Sequence, residues 1–263
     1  MRRRFLHRQT VAALVVTATI TVAAVAAVAG ANPGDPRRAV RVDASFAKAA
    51  VSQLTHDQGD LRVIGLRDGA AHRYYEVQSA TVDAAVDAYS GDVLALALAG
   101  DMPTTPTVVI SDQDAVASAL GYATATGLDV GGLQESVALI DHGDSKEYAV
   151  TWTEVLHGVR TPRSVRISVN PATGVVYAFL NFTRPYVDPP VPTITEAAAV
   201  EAACALLAAP DDAVATVTGL AITFDANGAQ HLMYEVHLVV LGGFYTNVQV
   251  DAKDGRAVII TRG

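Results

Sequence analysis

The sequence predicts an α+β protein of three tandem units, each one helix packed on an antiparallel sheet of about four strands. Three observations carry this. The stretch from Met233 to Arg262 alternates as a strand, breaks at Gly242-Gly243, and resumes as a hairpin closed by Asp254-Gly255. Looser versions of the same order lie upstream, at Tyr148-Ala149-Val150 with Val169-Asn170 to Val176, and at Tyr75-Glu76-Val77 with Val86-Asp87 to Val93. Each is preceded by an Ala-rich stretch behind a capping residue, the pattern of a helix with one apolar face.

Taken in chain order, residues 1–31 read as an export signal or membrane anchor. Met1 to Gln9 is basic, Val11 to Ala29 is apolar, and small residues follow, as a processing peptidase requires. Arg2-Arg3-Arg4-Phe5-Leu6 resembles the twin-arginine export motif. The first unit spans residues 43–98. Asp43 or Ser45 caps a helix carrying Phe46, Ala47, Ala50, Val51 and Leu54, ending near Gly59. Its strands are Leu61 to Leu66, Arg73 to Gln78, Thr81 to Asp87 and Val93 to Leu98.

Pro103 and Pro106 mark a boundary. The second unit, residues 111–183, opens on Ser111 to Asp114, a capping box with Asp in the acidic place. Strands are expected at Leu133 to Asp141, Glu147 to Glu154, Arg163 to Val169 and Val175 to Thr183. The extra length between Thr151 and Arg163 is expected to project as a contact loop, with Trp152, His157 and Arg160 as candidate contact residues. Trp152 shares strand parity with Tyr148 and Val150, which favours core packing; exposed, it would be the foremost contact. A Pro-rich linker, Arg184 to Pro192, then fixes a spacing before the third unit, residues 194–262. There Thr195-Glu196 starts a helix through Leu207, followed by strands at Thr216 to Phe224, Gln230 to Val240, Phe244 to Asp251 and Val258 to Thr261.

These motifs, an Ala-rich capped helix, a Tyr-x-Val strand and a Val-Asp-x-x-polar-Gly hairpin, resemble the PepSY family of extracytoplasmic modules. The third copy carries them most fully, in Tyr234-Glu235-Val236 and Val250 to Gly255; the second has Asn170-Pro171 at the hairpin. The resemblance implies a non-catalytic module, associated in some relatives with inhibiting or chaperoning thermolysin-type metalloproteases.

Composition narrows the function classes. The chain has a net charge of −8 despite its basic start, which disfavours nucleic acid and anionic lipid as partners. One cysteine, Cys204, excludes an internal disulfide, and in an Ala-Leu helix it reads as an inert packed thiol. No nucleophile elbow, zinc-protease helix or phosphate loop is present in the sequence. His231 and His237 share a strand face but lie roughly 20 Å apart, too far for one metal. His142 and His157 fall in turns. Asp87, Asn170 and Asp251 recur at one hairpin position, where such side chains bind amides two residues on. Tyr75, Tyr148 and Tyr234 read as core aromatics whose hydroxyls reach an edge.

The expectation is therefore a secreted or cell-envelope binding or regulatory protein without catalytic, cofactor or metal residues. Its expected partner is an extracytoplasmic protein, a peptidase among the candidates, and its only membrane contact an uncleaved N-terminal segment. The alternatives are an extracellular hydrolase outside the known motifs and a structural component of the envelope.

Overall fold

The computed structural model describes residues 42–55, 60–69, 73–188, 191–210, 213–225, 228–240 and 244–260. The export segment lies outside these residues, as do Gly59 and the Gly242-Gly243 break. Three α-helices occur among the described residues, and each begins on a side-chain cap. For α1 (Ala44–Thr55), Asp43 Oδ1 accepts from the Phe46 amide at 2.8 Å. For α2 (Asp112–Thr126), Ser111 and Asp114 complete a reciprocal capping box, and Gly127 ends the helix in the left-handed conformation. For α3 (Glu196–Leu207), Thr195 accepts from the Ala198 amide at 3.3 Å. Their sheet-facing residues are small: Ala47 and Val51, then Ala115, Ala119 and Ala123, then Ala199 and Ala203, all fully buried. Alanine lets a helix backbone approach the strands closely, which is why weakly amphipathic helices suffice here.

The strands are β1 (Arg62–Asp68), β2 (Arg73–Gln78), β3 (Val82–Asp87), β4 (Val93–Leu98), β5 (Gln134–Asp141), β6 (Lys146–Leu156), β7 (Val159–Val169), β8 (Val176–Phe182), β9 (Val214–Phe224), β10 (Gln230–Val240), β11 (Phe244–Asp251) and β12 (Ala257–Ile260). They overturn the expectation of three tandem helix-on-sheet units. All twelve belong to one mixed sheet, in the order β1-β2-β3-β4-β8-β7-β9-β10-β11-β12, with β6 also pairing β7 and β5 pairing β6. The joints are edge pairings: β4 meets β8 antiparallel at Ala95↔Leu180, and β7 meets β9 in parallel at Val159↔Leu220. An open strand edge is a row of unpaired amides and carbonyls, so neighbouring edges close on each other when within reach.

The interior follows the same division. One core joins α1 and α2: Val51, Val77, Leu96, Ala119, Trp152, Ile167 and Phe179 belong to a single cluster that runs beneath the β4–β8 seam. A second core gathers Val159, Ala199, Ala203, Tyr234, Leu238, Val248 and Val250 under α3.

One local contact occurs in three places. Tyr75, Tyr148 and Tyr234 donate their hydroxyls to the carbonyls of Val42, Ile110 and Ile194, at 2.9, 3.2 and 3.0 Å. Each of those carbonyls belongs to the segment entering a helix, and the same segment docks on a hairpin turn through amides that bond the carbonyls of Ala88, Pro171 and Ala252. Asp87, Asn170 and Asp251 shape those turns by accepting from the amides of Tyr89, Ala172 and Lys253. Tyrosine thus ties each helix entrance to the sheet beneath it.

Candidate functional site

The β6–β7 hairpin is where the predicted contact residues fall. Both strands run further than expected and close on a two-residue turn, His157-Gly158, with φ of 53° and 81°. Two successive positive φ values match the right-handed twist of the flanking strands. The hairpin does not project freely. Its tip lies against β9, Val159 enters the second core, and Arg160 forms an ion pair with Glu235 of β10. Trp152 is 3 % exposed and sits in the first core, closed to any partner in this conformation. His157 alone of the three is fully at the surface. The predicted contact loop thus contacts the protein's own second core.

Pro162 marks the place where β7 changes neighbours. Its pairing with β9 covers Val159 and Arg160, and its pairing with β8 begins at Ser164. The β6 register also shifts there, from Thr153↔Ser164 to Val155↔Arg160. A residue without an amide proton fits this gap, since no ladder bond is demanded of it. A polar knot fills the space. Glu154 accepts from the Thr161 hydroxyl and the Tyr186 hydroxyl, both at 2.7 Å, and Arg163 reaches Glu154 at 3.5 Å and Asp129 at 2.8 Å. The Thr161 and Tyr186 hydroxyls, followed by Arg163, hold the Glu154 carboxyl below its ordinary range. Tyr186 belongs to the Pro-rich linker, so this knot fastens the linker to the hairpin. The linker is also held at Val187, whose amide and carbonyl both bond the Gln230 side chain at 2.9 Å.

On the face of the sheet away from the helices, Glu147 is buried and bonded by Arg166 and Tyr177. The register shift between Ser168 and Val169 leaves Tyr177 as the extra residue of a bulge, which turns its ring toward Glu147. Burial first, and then the bond to Glu147, push the Tyr177 hydroxyl well above its usual pKa. Further along this face, His231 Nδ1 lies 2.9 Å from Asp251 and its Nε2 3.6 Å from Asp225. Nε2 is sealed from solvent without a hydrogen bond. His237 Nδ1 lies 3.0 Å from Asn247. Sequence reasoning paired neither histidine, because their partners come from other strands and the register was unknown. His142 is exposed beside Glu147, at 3.9 Å, and Cys204 is half-buried against the second core.

A cleft of about 230 Å³ opens over the β4–β8 seam, between Gln53 of α1 and Thr126 at the end of α2, with Phe179 and Asn181 as its floor. Ligand pockets usually run to roughly 300–1,000 Å³, so this is a gap between two helices rather than a preformed ligand site. No cluster of three or more metal-ligating side chains occurs among the described residues.

No family model matches the chain. No curated protein matches it either. Among solved structures, it is similar to the C-terminal domain of YpeB from Bacillus megaterium, at 17 % identity and a TM-score of 0.49, over 84 % of this chain and 99 % of that one. That similarity is too low to carry an argument about what the chain does, and the PepSY resemblance rests on the short motifs alone.

Proposed function

We propose that the protein is a non-catalytic binding protein that works outside the cytoplasm on another protein. The observation that supports this most is where its reactive side chains are engaged. Glu147, Glu154, His231, His237 and Asp251 all face partners within the fold, and Nε2 of His231 is sealed from solvent. Asp87, Asn170 and Asp251, which recur as a ligand site would, are each turned onto their own backbone. Among the described residues, the outer edge of β5 has no pairing strand, a surface suited to protein contact.

The export pattern of residues 1–31 supports work in the secreted fraction or the envelope. No helix among the described residues is long and apolar enough to cross a membrane. The finer reading is restraint of a secreted peptidase.

Two measurements test this. Crosslinking of the protein in its native envelope or culture fluid, followed by mass spectrometry, is expected to recover one extracytoplasmic partner. Turnover of peptide, ester or glycoside substrates that is abolished by His231→Ala, with the melting temperature unchanged, would establish the hydrolase alternative instead.

A further inference from the structure

We propose that the outer edge of β5 is the docking strand, and that it takes an extended segment of another protein with basic residues at both ends and apolar residues between them. This rests on the binding reading above and names the surface that performs it.

The backbone specifies the occupant. His142 donates to the Ser145 carbonyl at 2.9 Å, so His142 and Ser145 form a hydrogen-bonded pair at the mouth of the β5–β6 turn. Such pairs alternate along an antiparallel ladder. The even-numbered residues of β5 therefore bond β6, and Glu135, Val137, Leu139 and Asp141 turn their amides and carbonyls outward. Among the described residues, β5 pairs with β6 alone. A row of outward amides and carbonyls is matched by another extended backbone, the mode in which a peptide adds a strand to a sheet.

Natural sheets protect such edges with bulges, lysine, proline or short strands. The other two terminal edges do so: β1 carries a register shift after Val63 together with Arg62 and Arg67, and β12 spans four residues among those described. By contrast, β5 pairs in unbroken register over eight residues, contains neither lysine nor proline, and carries charge only near its two ends, at Glu135 and Asp141. Its side chains then select the occupant. Glu135, Val137, Leu139 and Asp141 share one face, acidic at both ends and apolar between, and Leu139 is 44 % exposed. Among the described residues, only Asp141 of the two acids has a basic neighbour, Lys146 at 3.4 Å. A second copy fits poorly. Two-fold pairing about Ala138 would set Glu135 against Asp141 twice, and like charges directly opposite destabilise a sheet.

The test uses the full chain and a labelled peptide, Lys-Thr-Val-Thr-Val-Thr-Lys, acetylated and amidated, whose lysines are spaced as Glu135 and Asp141 are. Fluorescence anisotropy is expected to show saturable binding, weaker by about tenfold or more when glutamate replaces both lysines. Leu139→Pro removes one outward amide and no β5–β6 bond, so it should reduce binding by about tenfold or more while the melting temperature holds. As a check independent of that variant's folding, N-methylation of alternate peptide residues should abolish binding for one set and spare it for the other. Equal binding of both methylated sets, equal binding of the glutamate peptide, or no binding at all would overturn the proposal. So would a dimer that sediments with concentration and is lost in Leu139→Pro, which would assign the edge to a second copy. Recovery of a crosslinked partner with no peptide binding would sink the β5 edge and leave the broader binding function standing.

Discussion

Replacing Trp152 with alanine should remove a large share of the protein's stability. The indole is 3 % exposed and packed within the core shared by α1 and α2, against β7 and β5. A buried tryptophan withdraws on the order of 200 Å² from water, worth roughly 5 kcal/mol at about 25 cal/mol per Å². Measured Trp→Ala losses in cores run at about 3–5 kcal/mol, because the surroundings relax only partly into the cavity. We therefore expect Trp152→Ala to cost about 4 kcal/mol, a substantial part of the roughly 5–15 kcal/mol available to a folded domain. Trp152 is the chain's one tryptophan, so wild-type fluorescence reports on this core directly. Its emission should be blue-shifted and resistant to acrylamide quenching. The variant has lost that signal and must be followed by urea titration with far-ultraviolet circular dichroism. A loss under about 1 kcal/mol, the range of ordinary surface substitutions, would mean that Trp152 is a surface contact residue and would refute the shared core.

Three further outcomes follow from the geometry. Tyr234→Phe should cost about 1–2 kcal/mol and speed amide exchange in the first turn of α3, since it leaves the Ile194 carbonyl without its donor. In a double-mutant cycle, Arg160→Ala and Glu235→Ala should couple by no more than about 1 kcal/mol, because both side chains remain partly in solvent; zero coupling would show that the ion pair does not help hold the hairpin to β10. Asp251→Asn should flatten the acid limb of the stability profile. Burial raises the Asp251 pKa, but the Lys253 amide and His231, with the Asp254 amide, outweigh it, so the folded value lies below the ordinary 3.8. A depressed folded pKa gives stability that is present above the unfolded value and lost as pH falls through the folded one. Asparagine still accepts from the amide two residues on, as Asn170 does, so the variant should keep its turn and lose only the pH-dependent part. Urea titrations of both proteins at pH 7 and near pH 3 would check this.

How much was legible in the sequence depends on the kind of bond. Elements set by local chemistry were readable: the Ser111–Asp114 capping box, and the strands Arg73–Gln78 and Val93–Leu98. The three tyrosines are core aromatics as expected, although the target of their hydroxyls, the carbonyl entering each helix, was not foreseen. The joints were not readable. The β4–β8 and β7–β9 pairings are made by backbone groups that every residue carries, and backbone pairing leaves no residue signature. The length between Thr151 and Arg163 reads as a projecting loop, whereas its tip lies against β9 through backbone pairing that no side chain announces. In the fold, Pro162 is the middle of Thr161, Pro162 and Arg163, the stretch of β7 that pairs with neither β8 nor β9. The turn itself, at His157-Gly158, was legible, since histidine tolerates positive φ better than most residues and a following glycine completes a tight hairpin turn.

Native-state hydrogen exchange with increasing denaturant tests the central claim most directly, namely that one continuous sheet carries two cores rather than three. Amides of Val51 and Leu96 on one side of the β4–β8 seam, and of Ala119 and Phe179 on the other, should merge into a single opening transition with one free energy and one denaturant slope. Separate openings on the two sides of that seam, with residues 43–98 exchanging as a unit of their own, would contradict it.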